Sequence, residues 1–317
     1  MDTGAGPKSA KEVIAHYVPT LDGGRVAYGV GCAWLGRSGN YQDTLRGDLR
    51  TLDRAYEHGF RYFDTSRAYG ESERTLGELV SRIDRRSVFI ATKANVREQA
   101  DPRERVELFR RSFEQSFDRL HTGTLDLFQI HDIGHFESVT EPGGILDFLF
   151  DARARGMIRY IGAATYSLSV LLPAAAHGAI DTVLSYRQYT PLKVSATPLI
   201  RETTERGVGF VNASPLHSGF LTNRDPMKVE TNRHPMVMRW QALAAELSAL
   251  CSRLGVPVLD VALQFPLRNS GIDITLSGPS TAEEVGFTAS ALRRSIPQPV
   301  WRAVDAWLAS VHDRFQE

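Results

Sequence analysis

Eight short apolar segments alternate with helix-patterned ones along 317 residues, and this alternation predicts an α/β fold closed into a (β/α)8, or TIM, barrel. Two observations carry the prediction. Many of the apolar segments are continuous runs, as strands buried on both faces require. The alternation also continues with no composition shift that would mark a domain boundary, so one barrel domain over 1–317 is expected.

The strands are expected near 26–33, 60–65, 87–93, 124–131, 158–165, 181–187, 207–213 and 272–278. Phe60, Tyr62 and Phe63 are aromatic and suit the buried second strand. Helices are expected near 43–58, 72–83, 104–120, 144–156, 168–177, 197–206 and 281–293. Ser72 and Glu73 open the second of these with a polar first turn, where an acid is favoured by the helix dipole. The stretch from 215 to 270 is too long for one crossover; it holds a polar loop (218–236) and helical segments near 237–254 and 257–268. The segment PVWRAVDAWLASVHDRF has apolar residues at helical spacing, giving a C-terminal helix over 298–317 packed on the outside, with Trp301 and Trp307 as anchors. The start, MDTGAGPKSAKEVIAHYV, lacks a basic segment followed by an apolar run and a cleavage site; residues 1–20 read as a loose tail, not a signal.

Composition narrows the function class. The chain is 42% hydrophobic, with 37 basic and 37 acidic residues. That balance argues against a broad nucleic-acid footprint and an anionic membrane surface. No run of about 18 apolar residues exists to span a membrane, and a cytoplasmic location is the default expectation. Cys32 and Cys251 are far apart and form no metal or redox motif. A small-molecule partner is the expectation that remains; oligomeric state is not legible.

The richest stretch is FRYFDTSRAYGESERTLGELV, residues 60–80. Asp64 ends its strand, and Tyr69 and Gly70 follow in a short turn before the helix. SVFIATKA ends its apolar run near Lys93, and TLDLFQIHD near His131. Asp64, Tyr69, Lys93 and His131 therefore fall at the C-terminal ends of successive strands, the rim where barrel active sites are built. A lone lysine at such a place is ordinary; four ionisable groups in this order point to one shared catalytic site.

DTSRAYGESE, ATK and QIHD resemble the signature segments of the aldo-keto reductases, nicotinamide-dependent oxidoreductases on a (β/α)8 barrel. The resemblance runs from about Val26 to about Ala291. HDIGHFES, GMIRYIGAATYSL, VLSYRQY, GVGFVNASPLHSGFLT and SGPSTAEEV resemble the sugar-dehydrogenase branch, including L-galactose and L-fucose dehydrogenases. The resemblance implies hydride transfer between NAD or NADP and a sugar, hemiacetal, aldehyde or ketone. Tyr69 would exchange the proton, with Lys93 favouring its phenolate, Asp64 holding Lys93 and His131 donating to the substrate oxygen. The ammonium is expected to lower the phenol's pKa from about 10.

The cofactor side departs from the family pattern. A Ser-Asn pair and a Gln that hold the carboxamide in many members correspond to Ala164, Thr165 and Tyr186, and a stacking aromatic to Ala213. Thr165, Tyr186, Ser214 and Leu216 are the candidate contacts. After the last strand, Gly278, Ser280 and Thr281 precede a helix whose backbone donors suit phosphate, although such residues are equally ordinary caps. Glu283 and Glu284 stand where NADP-dependent relatives usually place Arg or Lys. Glu284 would repel a 2′-phosphate and could bond a free ribose hydroxyl, so NAD is expected over NADP; alternatively both acids are solvated and only favour the helix start. Arg224 or Arg233 could reverse that preference by reaching the phosphate. Trp34, after the first strand, and His135 are the substrate candidates; Phe136 follows His135 in the loop after His131, Tyr189 and His217 lie near later strand ends, and each of these has an equally plausible role as rim packing or a hydrogen-bonded surface group. Two other classes stay open: a cofactor-binding regulatory or sensor protein on this fold, and a metal-dependent barrel hydrolase. No metal is expected, because only His131 is well placed and no H-x-H pair occurs.

Overall fold

The structure, a computed structural model, describes residues 9–21, 24–37, 41–96, 100–222, 225–229 and 234–312. The chain opens with α1 (Ala10–His16) and a short hairpin, β1 (Thr20–Leu21) and β2 (Gly24–Arg25). Eight parallel strands then alternate with helices: β3 (Tyr28–Gly31), α2 (Tyr41–Glu57), β4 (Tyr62–Asp64), α3 (Ser72–Val80), β5 (Phe89–Asn95), α4 (Pro102–Leu120), β6 (Leu125–His131), α5 (Ile145–Ala154), β7 (Ile158–Ala164), α6 (Leu168–Ala176), β8 (Thr182–Tyr186), α7 (Thr197–Arg206) and β9 (Gly209–Ala213). The long connection carries α8 (Pro235–Arg253) and α9 (Val258–Gln264) into β10 (Ile274–Ser277), followed by α10 (Ala282–Arg293) and α11 (Gln298–His312). Strands β3 to β10 pair in order, and β10 returns to β3, closing the barrel.

Two apolar layers hold it. The outward faces of the strands, including Phe63, Phe128 and Phe210, bury against helix residues such as Phe109, Phe113 and Leu171. The inward faces carry Tyr62, Phe89, Leu127, Val211 and Ile274. Burial on both sides explains why the strands read as continuous apolar runs. Helices α8, α9 and α11 share a separate cluster containing Leu247, Val261, Trp301 and Val304. Trp301 is buried there, while Trp307 borders the cluster and its Nε1 donates to Glu246 at 3.3 Å.

The expected loose tail is corrected from residue 9 onward. Ser9 and Glu12 form a reciprocal capping box at the start of α1. Ala10, Val13 and Ile14 are buried with Tyr62, Phe89 and Ile274, the first residues of β4, β5 and β10. This helix plugs the N-terminal end of the barrel, because its apolar side chains cover aromatic groups that water would otherwise reach.

Three glycines shape the opposite end. A Cβ on Gly162 would stand 2.6 Å from Thr182 Oγ1 and 2.9 Å from Gln129 Cγ, so its bareness leaves room for Gln129 inside the barrel. Gly36 and Gly70 have φ of 65° and 57°, and a Cβ on Gly70 would lie 2.6 Å from Gly36 O. Their close approach presses the loop after β3 onto the turn that carries Tyr69. Asp132, Arg187 and Ser214, the first residues past β6, β8 and β9, all hold φ between 49° and 59° without being glycine. Such strain concentrates where a fold shapes a site.

Candidate active site

Asp64, Lys93 and His131 come from the adjacent strands β4, β5 and β6, and Tyr69 stands on the turn after β4. Lys93 is 1% exposed; its Nζ forms an ion pair with Asp64 Oδ1 and donates to Thr65 O at 2.7 Å. The other carboxylate oxygen of Asp64 accepts from Gln129 Nε2 at 2.8 Å. Lys93 Nζ lies 5.0 Å from the Tyr69 ring centre. The rings of Tyr69 and His131 meet edge to face, 5.7 Å apart at 87°. The four sequence-selected residues are thus brought together. Around them, Ser72 Oγ donates to Cys32 O at 2.8 Å and stands 2.8 Å from Thr65 Oγ1, tying the β3 and β4 ends to α3.

Burial dominates the electrostatics. It pulls Lys93 downward, but Asp64 and Tyr69 outweigh it and leave the ammonium above its ordinary value. Burial pushes the Tyr69 phenol up; Lys93 draws it down, and Asp64 and Asp132 add to the rise. The expectation that Lys93 brings Tyr69 below its ordinary value is therefore corrected: the cation acts in that direction, and desolvation exceeds it. Burial, aided by Lys93, lowers His131 to about 3, so its ring is neutral at pH 7. Asp132, beside it, is raised by burial against the pull of Lys93.

The cofactor candidates line the ends of β7 to β10. Thr165 is buried, with its N–H donating to Leu184 O at 3.2 Å. Tyr186 is half-buried, 5.4 Å from the Tyr166 ring, and burial raises its phenol to about 12. Ser214 starts the turned loop after β9 and accepts from His217 N at 3.0 Å; Leu216 packs against the core. Gly278 faces Trp34, whose Cδ1 is 3.1 Å from where a Cβ would be. Trp34 is 53% exposed and carries the Arg37 guanidinium 4.4 Å above its ring. At α10, Ser280 N and Oγ donate to Glu284 Oε2 at 2.8 and 2.9 Å, and Glu284 N donates to Thr281 Oγ1 at 3.2 Å. The capping arrangement is real, and it occupies one backbone donor of this loop. Arg224 and Arg233 lie outside the described residues.

Other candidates have packing partners. His217 is buried, its ring lies 4.5 Å from that of Trp240 at a tilt of 53°, and its Nδ1 is 3.1 Å from Thr190 Oγ1. Tyr189 lies 5.4 Å from Phe265, and Phe136 is buried 5.3 Å from His177. His135 is exposed, and its carbonyl accepts from Ser138 Oγ at 2.7 Å. Both cysteines are buried free thiols; burial raises Cys32, and raises Cys251 to about 11. Among the described residues, no three His, Cys, Asp or Glu side chains group as a metal site, and no single helix is long and apolar enough to cross a membrane.

Sequence reasoning passed over four polar residues that contact the candidate groups or their neighbours. Gln129 hides within an apolar strand, and Ser66, whose Oγ is 3.2 Å from His131 Nδ1, hides within a turn. Arg187 stands 5.2 and 5.6 Å over the Tyr166 and Tyr186 rings, with Nη1 donating to Ser218 Oγ at 3.3 Å. Lys193 Nζ donates to Tyr166 OH at 2.9 Å. A basic residue directly after the β8 run was the available signal for Arg187.

Residues 29–309 match the model of the Aldo/keto reductase family. The chain is 29% identical to L-galactose dehydrogenase of Arabidopsis thaliana, covering 77% of each chain. It is 25% identical to D-threo-aldose 1-dehydrogenase of a Pseudomonas species, covering 79% of this chain and 84% of the relative. It is 27% identical to pyridoxal 4-dehydrogenase of Microbacterium luteolum, covering 87% and 92%.

Proposed function

The chain belongs to the aldo/keto reductase family and is an NAD(P)-dependent oxidoreductase; from that premise, we propose that it interconverts an aldose hemiacetal and its lactone, with NAD preferred. The observation that carries the residue roles is the buried Lys93–Asp64 pair beneath the Tyr69 ring, with a neutral His131 edge-on to it. When bound, the nicotinamide ring accepts or gives the hydride.

Tyr69 exchanges the proton on the C1 oxygen. In reduction the phenol donates it; in oxidation the phenolate takes it from the hydroxyl. Lys93 supports the phenolate without itself losing a proton, since Asp64 and Tyr69 hold it charged. Asp64, anchored by Gln129, keeps the ammonium in place. A neutral His131 can donate one hydrogen bond to the reacting oxygen without adding a cation. Thr165 and the Tyr186 hydroxyl suit a carboxamide, and the Ser214–Leu216 turn and the Gly278–Thr281 loop suit the remainder of a dinucleotide. Arg187 and Lys193, held by Ser218 and Tyr166, add positive charge to that side. The relatives' names, L-galactose and D-threo-aldose dehydrogenase, support a sugar as substrate.

Fluorescence titration with NADH and NADPH, followed by an aldose panel with both oxidised cofactors, tests the reading. Dinucleotide binding with turnover of at least one aldose is expected. Binding without turnover of any sugar, aldehyde or ketone would favour a cofactor-binding regulatory protein instead.

A further inference from the structure

We propose that the Ser66 hydroxyl is a positioning group that fixes His131 as the Nε2–H tautomer, so that the ring presents a donor to the reacting oxygen beside Tyr69. The functional part of this inference rests on the oxidoreductase reading; the tautomer does not.

Ser66 is fully buried. Its oxygen accepts the Ala68 N–H at 3.1 Å. Two acceptors compete for its proton: His131 Nδ1 at 3.2 Å and Lys93 O at 3.1 Å. Lys93 O already accepts the Arg67 N–H at 3.0 Å, so it is satisfied without Ser66. Among the described residues, His131 Nδ1 has no second hydrogen-bond partner.

The far side of the ring makes the same choice. His131 Nε2 lies 3.4 Å from Asp132 Oδ2. If Ser66 gave its proton to Lys93 O, Nδ1 would have to carry the ring proton, and the Nε2 lone pair would face a carboxylate oxygen. If Ser66 gives it to Nδ1, then Nε2 carries the proton, the carboxylate attracts it across 3.4 Å without closing a hydrogen bond, and it stays open to a reacting oxygen. The ring holds a single proton, because burial and Lys93 keep it neutral. The hydrogen bond at one nitrogen therefore decides which nitrogen can donate. Asp132 faces the ring with φ of 49°, a strained conformation for a residue that is not glycine. Thr65, next to Ser66, is the residue whose carbonyl receives Lys93 Nζ, so one short segment orients both Lys93 and His131.

Side-chain 15N NMR of the full chain at neutral pH reads the tautomer directly, with the His131 signals assigned by their loss in His131→Gln. The wild type should show a protonated Nε2 and a bare Nδ1. Ser66→Ala should give a mixed or inverted population, and Ser66→Thr, which keeps the hydroxyl, should restore the wild-type pattern. In turnover, Ser66→Ala should lower kcat for carbonyl reduction by about 10-fold, the scale of one lost orienting hydrogen bond, with dinucleotide Kd unchanged within about twofold. Ser66→Thr should recover most of that loss. A wild-type ring protonated on Nδ1, or a Ser66→Ala protein whose tautomer is unaltered, overturns the proposal, and the wild-type spectrum decides even if a variant fails to fold. If the tautomer follows Ser66 while the wild type reduces no carbonyl and oxidises no sugar, the tautomer assignment stands and the proposed catalytic reading falls with the functional part of the inference.

Discussion

Removing Lys93 should damage the protein twice, and the two injuries can be separated. Lys93→Met leaves the Asp64 carboxylate 3% exposed, with Gln129 Nε2 at 2.8 Å as its remaining side-chain donor. Orphaning one member of a buried ion pair costs about 3–5 kcal/mol. At roughly 2 °C per kcal/mol for a chain of this size, the melting temperature should fall by about 6–10 °C. Adding Asp64→Asn removes the stranded charge while keeping an acceptor for Gln129, so the double variant should recover at least about half of the deficit. Turnover should not return with it, because no ammonium remains beneath the Tyr69 ring. Urea denaturation and thermal melts of wild type, both single variants and the double supply the cycle; steady-state oxidation of the best aldose supplies the activity. A Lys93→Met protein melting within about 2 °C of wild type, or a double variant no more stable than Lys93→Met, would refute the reasoning that a buried charge pair holds this site together.

Three further outcomes are expected. Tyr69→Phe keeps the ring and removes the transferable proton, so turnover should drop by about 10²-fold or more while dinucleotide Kd changes little; retention of most turnover with chemistry rate-limiting would exclude Tyr69 as the proton donor. Because Tyr69 stands above its ordinary value, oxidation should gain close to tenfold per pH unit across about pH 6–9 while reduction stays level, and with His131 neutral down to about 3 no imidazole break should interrupt either profile; a break near pH 6–7 that disappears in His131→Gln would contradict this. NAD should bind more tightly than NADP at one ionic strength, and Glu284→Arg should narrow or reverse the difference; since Glu284 also accepts from Ser280, Glu284→Gln serves as the control, and tighter NADP binding by the wild type would refute the preference.

The barrel was legible because its strands are buried twice over. A segment such as TLDLFQIH must be apolar on both faces, and that pattern survives in the sequence. The plug was not read, although its signal was present: Ser9 and Glu12 stand three apart ahead of an apolar Val13–Ile14 pair. Seven helical residues bury too few side chains to announce themselves against polar neighbours, and their apolar face has meaning only once β4, β5 and β10 stand above it. Glu73 was legible in position only. It stands in the first turn of α3, as its favourable place at the helix dipole predicts, but its full burial, its bond from Thr92 Oγ1 at 2.7 Å and its place 3.3 Å from Arg119 Nε depend on the neighbouring elements.

The site shows the same division between position and environment. Strand ends fix where a side chain begins, so Asp64, Lys93 and His131 could be placed together from the segments they terminate. Protonation depends on how much water surrounds each group, and no local segment records that. Lys93 exerts the pull on Tyr69 that its charge requires, but the packing that brings the two within 5.0 Å also dries the phenol. Burial raises the phenol and lowers the imidazole, because it disfavours whichever form is charged. The outcome is a site with one buried ion pair and two neutral proton carriers. Which nitrogen of His131 carries its proton is then left to a serine that the turn DTSRAY brings to 3.2 Å. That choice follows from which of two acceptors is already satisfied, a property of Arg67 N–H and Lys93 O that only the assembled turn contains.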